Sequence, residues 1–436
     1  MNTIELVHAL LLEYENSEKY SNLALSSHLL DGASPDERGR VAAIFYTTVE
    51  RKLKYDYFIS SLSKRQTERI DSYTLNALRL GCCLILDMGG YKDHAATNET
   101  VKLGRNKGER GFINAVLRSL IRARDTRSLP LPDRSKSAER YLSVAYSFPK
   151  KTVKKFVSLF GAEEAESLLS YYNSKGYTDL TVNTTRIDRS AFIEALKEQG
   201  ISANPSPYTS IGVRIEGSVD PRTLAGFDEG WFFVQDAACA VSAQVLAPEE
   251  GDRIVDVCAC PGGKSFAAAI VSSGKASITA FDVHESKLSL ITSSAERLGL
   301  AVSAEVQDAT HPRAELFNSF DKVICDVPCS GLGVLGKKSD MRYKDVESEE
   351  LQTLQYSILE GSAKYLKAGG VMVYSTCTIL PEENEQIVEK FLESHEGYVL
   401  EDFTVGSLSS EGGMLTILPH RHFMDGFFIA KIRKAL

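Results

Sequence analysis

The sequence predicts an α/β fold class: a doubly wound parallel sheet from Gly251 onward, an all-helical region over residues 1 to about 125, and a small mixed α+β segment between them. Three observations predict it. After Gly251, short apolar runs alternate with helix-length amphipathic stretches, the pattern of a parallel sheet with crossover helices. Apolar residues recur near the helical period through the first 125 residues. Two cysteine motifs, Asp326-Val327-Pro328-Cys329-Ser330-Gly331 and Tyr374-Ser375-Thr376-Cys377, each follow an apolar run and stand at neighbouring strand ends. Ligands of open parallel sheets bind outside those ends, so both thiols are expected to face one crevice.

In order along the chain, Met1 to Tyr20 reads as an amphipathic helix, and Ser34-Pro35-Asp36-Glu37 as an N-terminal cap with Pro in the first turn. Ile44, Tyr46, Val49 and Leu53, then Leu75, Leu78, Leu80, Leu84 and Ile85, mark further helices. Leu129-Pro130-Leu131-Pro132-Asp133 reads as a linker. Beyond it, Lys150 to Phe160 and Ser190 to Gln199 look helical, and Leu180 to Asn183 and Val213 to Ile215 strand-like. The sheet strands are expected at 253–257, 277–282, 303–307, 322–326 and 371–375, with helices at 263–271, 285–298, 346–366 and 382–394. Leu415 to Leu418 and Phe427 to Ala430 are expected to add an antiparallel pair at the sheet's edge.

Composition narrows the function classes. The start carries Glu5, Glu13, Glu15 and Glu18 and no basic n-region, unlike a signal peptide. No apolar run approaches the ~20 residues that span a bilayer, so no membrane role is expected. The eight cysteines are not spaced as a secreted disulfide framework, and Cys258-Ala259-Cys260 has the wrong spacing for a zinc knuckle. A reducing cytoplasm and no metal are expected. The net charge of -8 argues against nucleic acid, but residues 101–140 hold eleven Lys/Arg against four acids, a local +7. Such a block suits a phosphate backbone; taken alone it reads equally as a solvated helix face.

The first sheet strand runs into Asp256-Val257-Cys258-Ala259-Cys260-Pro261-Gly262-Gly263-Lys264-Ser265, close to a phosphate-binding P-loop. An ATPase is the first rival reading. It fails because the opening glycine of that pattern falls on Cys258, and Pro261 removes an N–H donor from the cradle. Asp282 closes the next strand, 19 residues after Gly263, where a carboxylate accepts from ribose hydroxyls. Asp308 follows the third strand, placed to accept from an adenine amine. A glycine loop and two strand-end acids suit an adenosine ligand without a triphosphate, and S-adenosylmethionine is such a ligand.

These residues resemble the Sun/Fmu/RsmB-type RNA cytosine-carbon-5 methyltransferases. Cys258 to Lys264 is similar to that family's cofactor loop, with Cys260 in place of its second Ala. The Cys329 and Cys377 motifs resemble its two cysteine motifs, and Val234-Gln235-Asp236 the segment before its catalytic domain. Asp93 to Glu99 and Gly111 to Arg118 resemble a NusB-like RNA-binding domain, and Thr181-Val182-Asn183-Thr184 its intermediate subdomain. The resemblance implies three parts: residues 1–138 NusB-like, 139–235 a small α+β (RRM-like) subdomain, and 236–436 a Rossmann-like methyltransferase domain. One departure stands at Gly336-Lys337-Lys338-Ser339-Asp340, where the family carries two Arg, a basic residue and Pro-Asp.

The resemblance further implies chemistry. Carbon 5 of cytosine is a weak nucleophile, and a thiolate added at carbon 6 makes it enamine-like. DNA enzymes of this chemistry attack with the Pro-Cys cysteine; the RNA family assigns attack to Cys377 and adduct release to Cys329. Asp326 would hydrogen-bond the base and Lys264 orient it or the cofactor. The cofactor loop would be Cys258, Ala259, Cys260, Pro261, Gly262, Gly263 and Lys264, with Asp282, Asp308 and Asp326. The implied partner is RNA rather than DNA, 16S rRNA in particular. A methyltransferase of transfer RNA or large-subunit rRNA, and a non-catalytic RNA-binding ribosome assembly factor, are the alternatives.

Overall fold

A computed structural model of the chain describes residues 1–16, 25, 28–174, 176–343 and 349–436. It divides into two compact units, Met1–Asn173 with Lys338–Lys344, and Ser174–Lys337 with Asp345–Leu436. The boundary expected at residue 138 falls at the start of the helix Ala138–Tyr146, just after the linker. Compactness groups the three helices beyond it with the first unit.

The first unit is helical: α1 (Thr3–Asn16), α2 (Pro35–Glu50), α3 (Lys52–Ser63), α4 (Ser72–Leu86), α5 (Asp93–Lys102), α6 (Lys107–Asp125), α7 (Ala138–Tyr146), α8 (Lys150–Phe160) and α9 (Ala162–Tyr172). The first helix ends at Asn16, and the expected stretch from 17 to 20 lies outside the described residues. Ser34 caps α2 by accepting from the Glu37 N–H, with Pro35 in the first turn where its missing donor costs nothing. Val7, Leu10, Phe45, Phe58, Leu78 and Leu117 build the core. Gly81 lets α4 approach α6, because a Cβ there would meet Leu117 at 2.7 Å. A charged knot is buried in it. Arg79 pairs with Asp56 at 2.6 Å and with Glu15, and donates to Asn76 at 3.0 Å. Arg342, 1% exposed, donates to Asn173 at 2.8 Å and to the Tyr172 carbonyl, its guanidinium 4.3 Å from the Phe148 ring centre.

Much of the basic block is consumed within this unit. Arg105 pairs with Asp71 and Glu109, Arg124 with Asp93 and Asp125, and Arg134 with Glu166. Lys107, Arg118, Arg122 and Arg140 are exposed and, among the described residues, form no ion pair. Arg118 and Arg122 lie one turn apart on α6, opposite its buried Ile113, Val116, Leu117 and Leu120.

The second unit opens with an antiparallel sheet of order β2-β3-β1-β4, from β1 (Tyr177–Val182), β2 (Ala203–Pro205), β3 (Gly212–Glu216) and β4 (Phe232–Val234), with α10 (Arg189–Glu198) packed on it through Phe192 and Leu196. After α11 (Ala237–Leu246) the alternation follows: β5 (Arg253–Asp256), α12 (Gly263–Val271), β6 (Ser277–Asp282), α13 (Glu285–Leu298), β7 (Val302–Val306), β8 (Phe320–Asp326), α14 (Glu349–Ala363), β9 (Leu366–Thr376) and α15 (Glu385–Ser394). The tail adds β10 (Tyr398–Leu400), the small pair β11 (Thr404–Val405) and β12 (Leu408–Ser409), β13 (Met414–Ile417), α16 (Pro419–His422) and β14 (Phe427–Lys434).

The large sheet runs β10-β14-β9-β8-β5-β6-β7, with β13 also on β14, and its five strands from β9 to β7 are parallel. The chain leaves β5 for β6 and β7, then returns to β8 on the other side of β5. The order therefore reverses between β5 and β8, which opens a crevice at their carboxyl ends. The tail pair joins the sheet at its edge as expected: β13 lies antiparallel to β14, which pairs with β9, and β10 and β13 are on the outer side of β14. Its Phe427-Phe428-Ile429-Ala430 run is fully buried, as a strand covered on both faces must be. The helix expected from Glu382 begins at Glu385, because Pro381 to Asn384 form a turn whose Glu383 and Asn384 side chains bond the loops that carry the cysteines. Likewise α14 stops at Ala363, and Leu366 already belongs to β9; Val346 lies outside the described residues.

Candidate active site

The loop after β5 is tied on both sides. The Val257 N–H donates to Ile324 of β8 at 3.0 Å, and the Ala259 N–H to Phe281 of β6 at 2.8 Å. Gly262 has φ +106°, and a Cβ there would lie 2.4 Å from the Phe266 ring, so this glycine serves the turn into α12. Asp282, at the end of β6, accepts from the Cys260 N–H at 3.2 Å and the His284 N–H at 2.9 Å, one on each oxygen. Each oxygen keeps lone-pair capacity. Asp308 accepts from the Thr310 N–H and hydroxyl and meets His311 Nδ1 at 3.0 Å; these bonds hold its carboxyl below the usual range.

A cavity of about 530 Å³ is lined by Cys258, Cys260, Asp282, Asp308, Asp326, Cys329 and Cys377, among others. Ala259, Pro261, Gly262, Gly263 and Lys264 do not line it. They shape the loop behind. The volume suits a nucleoside-sized ligand. The donor set suits one too: carboxylates at two strand ends for hydroxyl and amine donors, with Val283 and Ala309 beside them as apolar wall. The residues present thus fit an adenosine-type cofactor.

Next to this, Asp326 is gripped at both oxygens. Lys264 Nζ lies 2.6 Å from Oδ2, and the Ser375 hydroxyl donates to Oδ1 at 2.7 Å. Burial would discharge Lys264, but the Asp326 carboxylate outweighs it, and the ammonium is held well above its ordinary pKa. Lys264 also lies 3.7 Å from Cys239 and over the Phe427 ring. Burial pushes the Cys239 thiol up to about 12.

Cys329 and Cys377 are free thiols with sulfurs 2.8 Å apart, and the Cys377 N–H lies 3.1 Å from the Cys329 sulfur. The hydrogen bond with Cys377, together with burial, raises the Cys329 pKa well above the ordinary thiol value. Either sulfur can donate its S–H to the other, so the contact couples the two thiols without ordering their roles.

Beneath the cysteines lies a buried polar layer that the sequence reading missed. Glu383, 2% exposed, accepts on Oε2 from the Ser330 N–H and Gln355 Nε2, each at 2.9 Å. Asn384 bonds Thr376 and Thr378. Asp256 accepts from Ser265 at 2.7 Å, and burial raises its pKa to about 7. One oxygen each of Asp256, Glu383 and Gln355 has no partner among the described residues. The signal available in the sequence is polar residues crowded beside the cysteine motifs, at Glu382-Glu383-Asn384 and Ser375; the first of these also fits an ordinary helix start. Among the described residues no group of His, Cys, Asp and Glu is arranged to hold a metal ion, and no helix is long and apolar enough to cross a membrane.

Three family models match the chain: 16S rRNA methyltransferase RsmB/F over residues 243–433, the NusB family over 1–122, and the RsmF/B-like ferredoxin-like domain over 148–221. The chain is 31% identical to the probable ribosomal RNA small subunit methyltransferase B of Bacillus subtilis, covering 97% of both chains. It is 33% identical to the protein of the same description from Synechocystis, covering 99% of both. Among solved structures, a methyltransferase homolog of Pyrococcus horikoshii is 27% identical with a TM-score of 0.59, covering 68% of this chain and 99% of that one. NSun6 from Pyrococcus horikoshii, solved with SFG, is 25% identical with a TM-score of 0.58, covering 67% and 99%.

Proposed function

The chain belongs to the RsmB/F family of 16S rRNA methyltransferases, and on that premise we propose that it methylates carbon 5 of a cytosine in small-subunit ribosomal RNA through a covalent adduct at Cys377. The enzyme depends on S-adenosylmethionine; its solved relative carries SFG, an analogue of that cofactor. When bound, S-adenosylmethionine supplies the methyl group. Asp282 and Asp308 would hold its adenosine part.

The single observation that carries the covalent reading is the pair of cysteine sulfurs, 2.8 Å apart and not disulfide-bonded, lining the same cavity as those carboxylates. Cys377, as thiolate, attacks carbon 6, and the carbon–sulfur bond pushes an electron pair toward carbon 5. Asp326, fixed by Lys264 and Ser375, accepts hydrogen bonds from the base's amine edge and keeps the ring in plane for attack. The charged Lys264 beside it stabilises negative charge that the adduct moves into the ring. Once carbon 5 is methylated its proton passes to solvent water, the pair of that C–H bond restores the carbon 5–carbon 6 double bond, and the carbon–sulfur pair returns to Cys377 as thiolate. Cys329, in contact with the Cys377 sulfur, works at this release step. The cytosine must be unpaired or flipped out to reach the cavity.

We assign RNA affinity to the NusB-like part, through the unpaired Arg118 and Arg122 face of α6. The test of substrate and product is direct: incubate the enzyme with naked 16S rRNA, and separately with assembling small subunits, and identify the modified nucleoside by mass spectrometry. 5-Methylcytosine in 16S rRNA is expected. Label on transfer RNA or large-subunit rRNA instead, or RNA bound without methylation, would overturn the assignment.

A further inference from the structure

Two consecutive buried residues hold the two cysteine loops. Glu383 and Asn384 end the turn between β9 and α15 and are 2% and 0% exposed. Glu383 serves Cys329. Its Oε2 takes the N–H of Ser330, the residue after Cys329, at 2.9 Å, and the same oxygen takes Gln355 Nε2, which also donates to the carbonyl of Pro328, the residue before. Asn384 serves Cys377. The hydroxyl of Thr376, the residue before, donates to Asn384 Oδ1 at 2.6 Å, and Asn384 Nδ2 donates to the carbonyl of Thr378, the residue after, at 3.2 Å. Each cysteine is thus bracketed by bonds to both chain neighbours. The brackets meet where the Ser330 hydroxyl donates to that of Thr378 at 2.8 Å. The Tyr374 hydroxyl anchors the turn on the Glu383 carbonyl at 2.7 Å.

We propose that Glu383 and Asn384 are positioning residues that set the two sulfurs separately: Asn384 places Cys377 for attack, and Glu383 places Cys329 for release. The assignment rests on the covalent reading above. A buried layer is the right material for this task. Its bonds are shielded from water, so loss of one partner leaves another donor or acceptor stranded and the loop moves. A shift of about 1 Å in a reacting group costs up to about a hundredfold in rate. The spare oxygen of Glu383 has no partner among the described residues, so Glu383→Gln keeps the acceptor and loses nothing it needs. Asn384→Asp would instead face the Thr378 carbonyl with an oxygen and break half of its bracket.

The clamp is read first without RNA, by the rate at which iodoacetamide alkylates each cysteine, followed by peptide mass spectrometry. Asn384→Ala and Asn384→Asp should change the Cys377 rate at least about threefold and the Cys329 rate little; Glu383→Ala should do the reverse, and Glu383→Gln should restore it. With RNA in single turnover, Asn384→Ala in a Cys329→Ala background should form adduct at least about tenfold more slowly than that background alone. Glu383→Ala should form adduct normally and release it at least about tenfold more slowly. Calorimetry with S-adenosylmethionine and a cooperative melt certify each fold, and Asn384→Asp, or Gln355→Leu, which removes the bonds to Glu383 and the Pro328 carbonyl, stands in where an alanine variant fails to fold. Equal effects at both cysteines, or at neither, would overturn the clamp. If Cys329→Ala traps no adduct, the covalent reading falls, and the alkylation pattern still decides the clamp.

Discussion

The helical unit and the crevice both bury charge, and they treat it in opposite ways. Arg79 is met on several atoms at once, by Glu15, Asp56 and Asn76. Asp256, bonded to Ser265 behind the loop after β5, and Glu383, behind the Cys329 loop, each keep one oxygen without a partner among the described residues. A saturated buried ion pair does structural work, since removing one side strands the other. A buried carboxylate with spare capacity is a cost to folding that survives where function needs it. The difference teaches where stability and chemistry live in this chain.

The strongest way to break the contrast is Arg79→Met. It strands two carboxylates, and we expect a loss of about 3 kcal/mol in stability, read by urea denaturation. An effect below about 1 kcal/mol would mean that the knot is not a structural keystone. Asp256→Asn tests the other side. Burial raises the folded pKa of Asp256 to about 7, above its unfolded value, so the folded state binds the extra proton between about pH 4 and pH 7. Wild-type stability from this group is full below that window and is lost as pH rises through it. The Asp256→Asn variant has no such proton to lose, so melting curves should favour it increasingly from about pH 4 to pH 7, by up to a few kcal/mol. A constant difference across that range would contradict a buried, titrating carboxyl.

Asp282→Ala separates function from fold within the crevice. Losing its ribose bonds should weaken S-adenosylmethionine by about 1.5–3 kcal/mol, roughly ten- to a hundredfold by calorimetry, in a protein that still melts cooperatively. Unchanged affinity would remove Asp282 from the cofactor site. The smallest effect contrasts paired and unpaired cations of the helical unit. Arg118→Ala and Arg122→Ala should each lower the salt slope of RNA binding by about 1, whereas Arg105→Ala, already committed to Asp71 and Glu109, should leave it nearly unchanged. Equal effects would mean that the ion pairs do not decide which cations meet RNA.

The same contrast explains what is legible in the sequence. The parallel strands and crossover helices are readable because their apolar periods are local, and Gly263 to Val271, Ser277 to Asp282 and Glu285 to Leu298 fall where the spacing puts them. Strands β13 and β14 pair at the sheet's edge as their sequence suggests, but no local signal tells which strand a buried run will join; Phe428 opposite Thr376 is a tertiary choice. In the site, motif residues announce themselves at strand ends. Glu383, Asn384 and Gln355 do not, since a polar residue near a helix start looks solvated until the fold closes over it. The basic block shows the opposite error. Its charge is visible in sequence, but the pairing of Arg105, Arg124 and Arg134 is not.

The central claim is that Cys377 attacks and Cys329 releases, and one denaturing gel tests it with labelled substrate RNA. Its four samples are wild type, Cys377→Ala, Cys329→Ala and the double variant. A protein–RNA species that survives denaturation is expected in Cys329→Ala alone, with no methylation at all in Cys377→Ala and no adduct in the double variant. An adduct in Cys377→Ala, or full activity in that variant, would contradict the account.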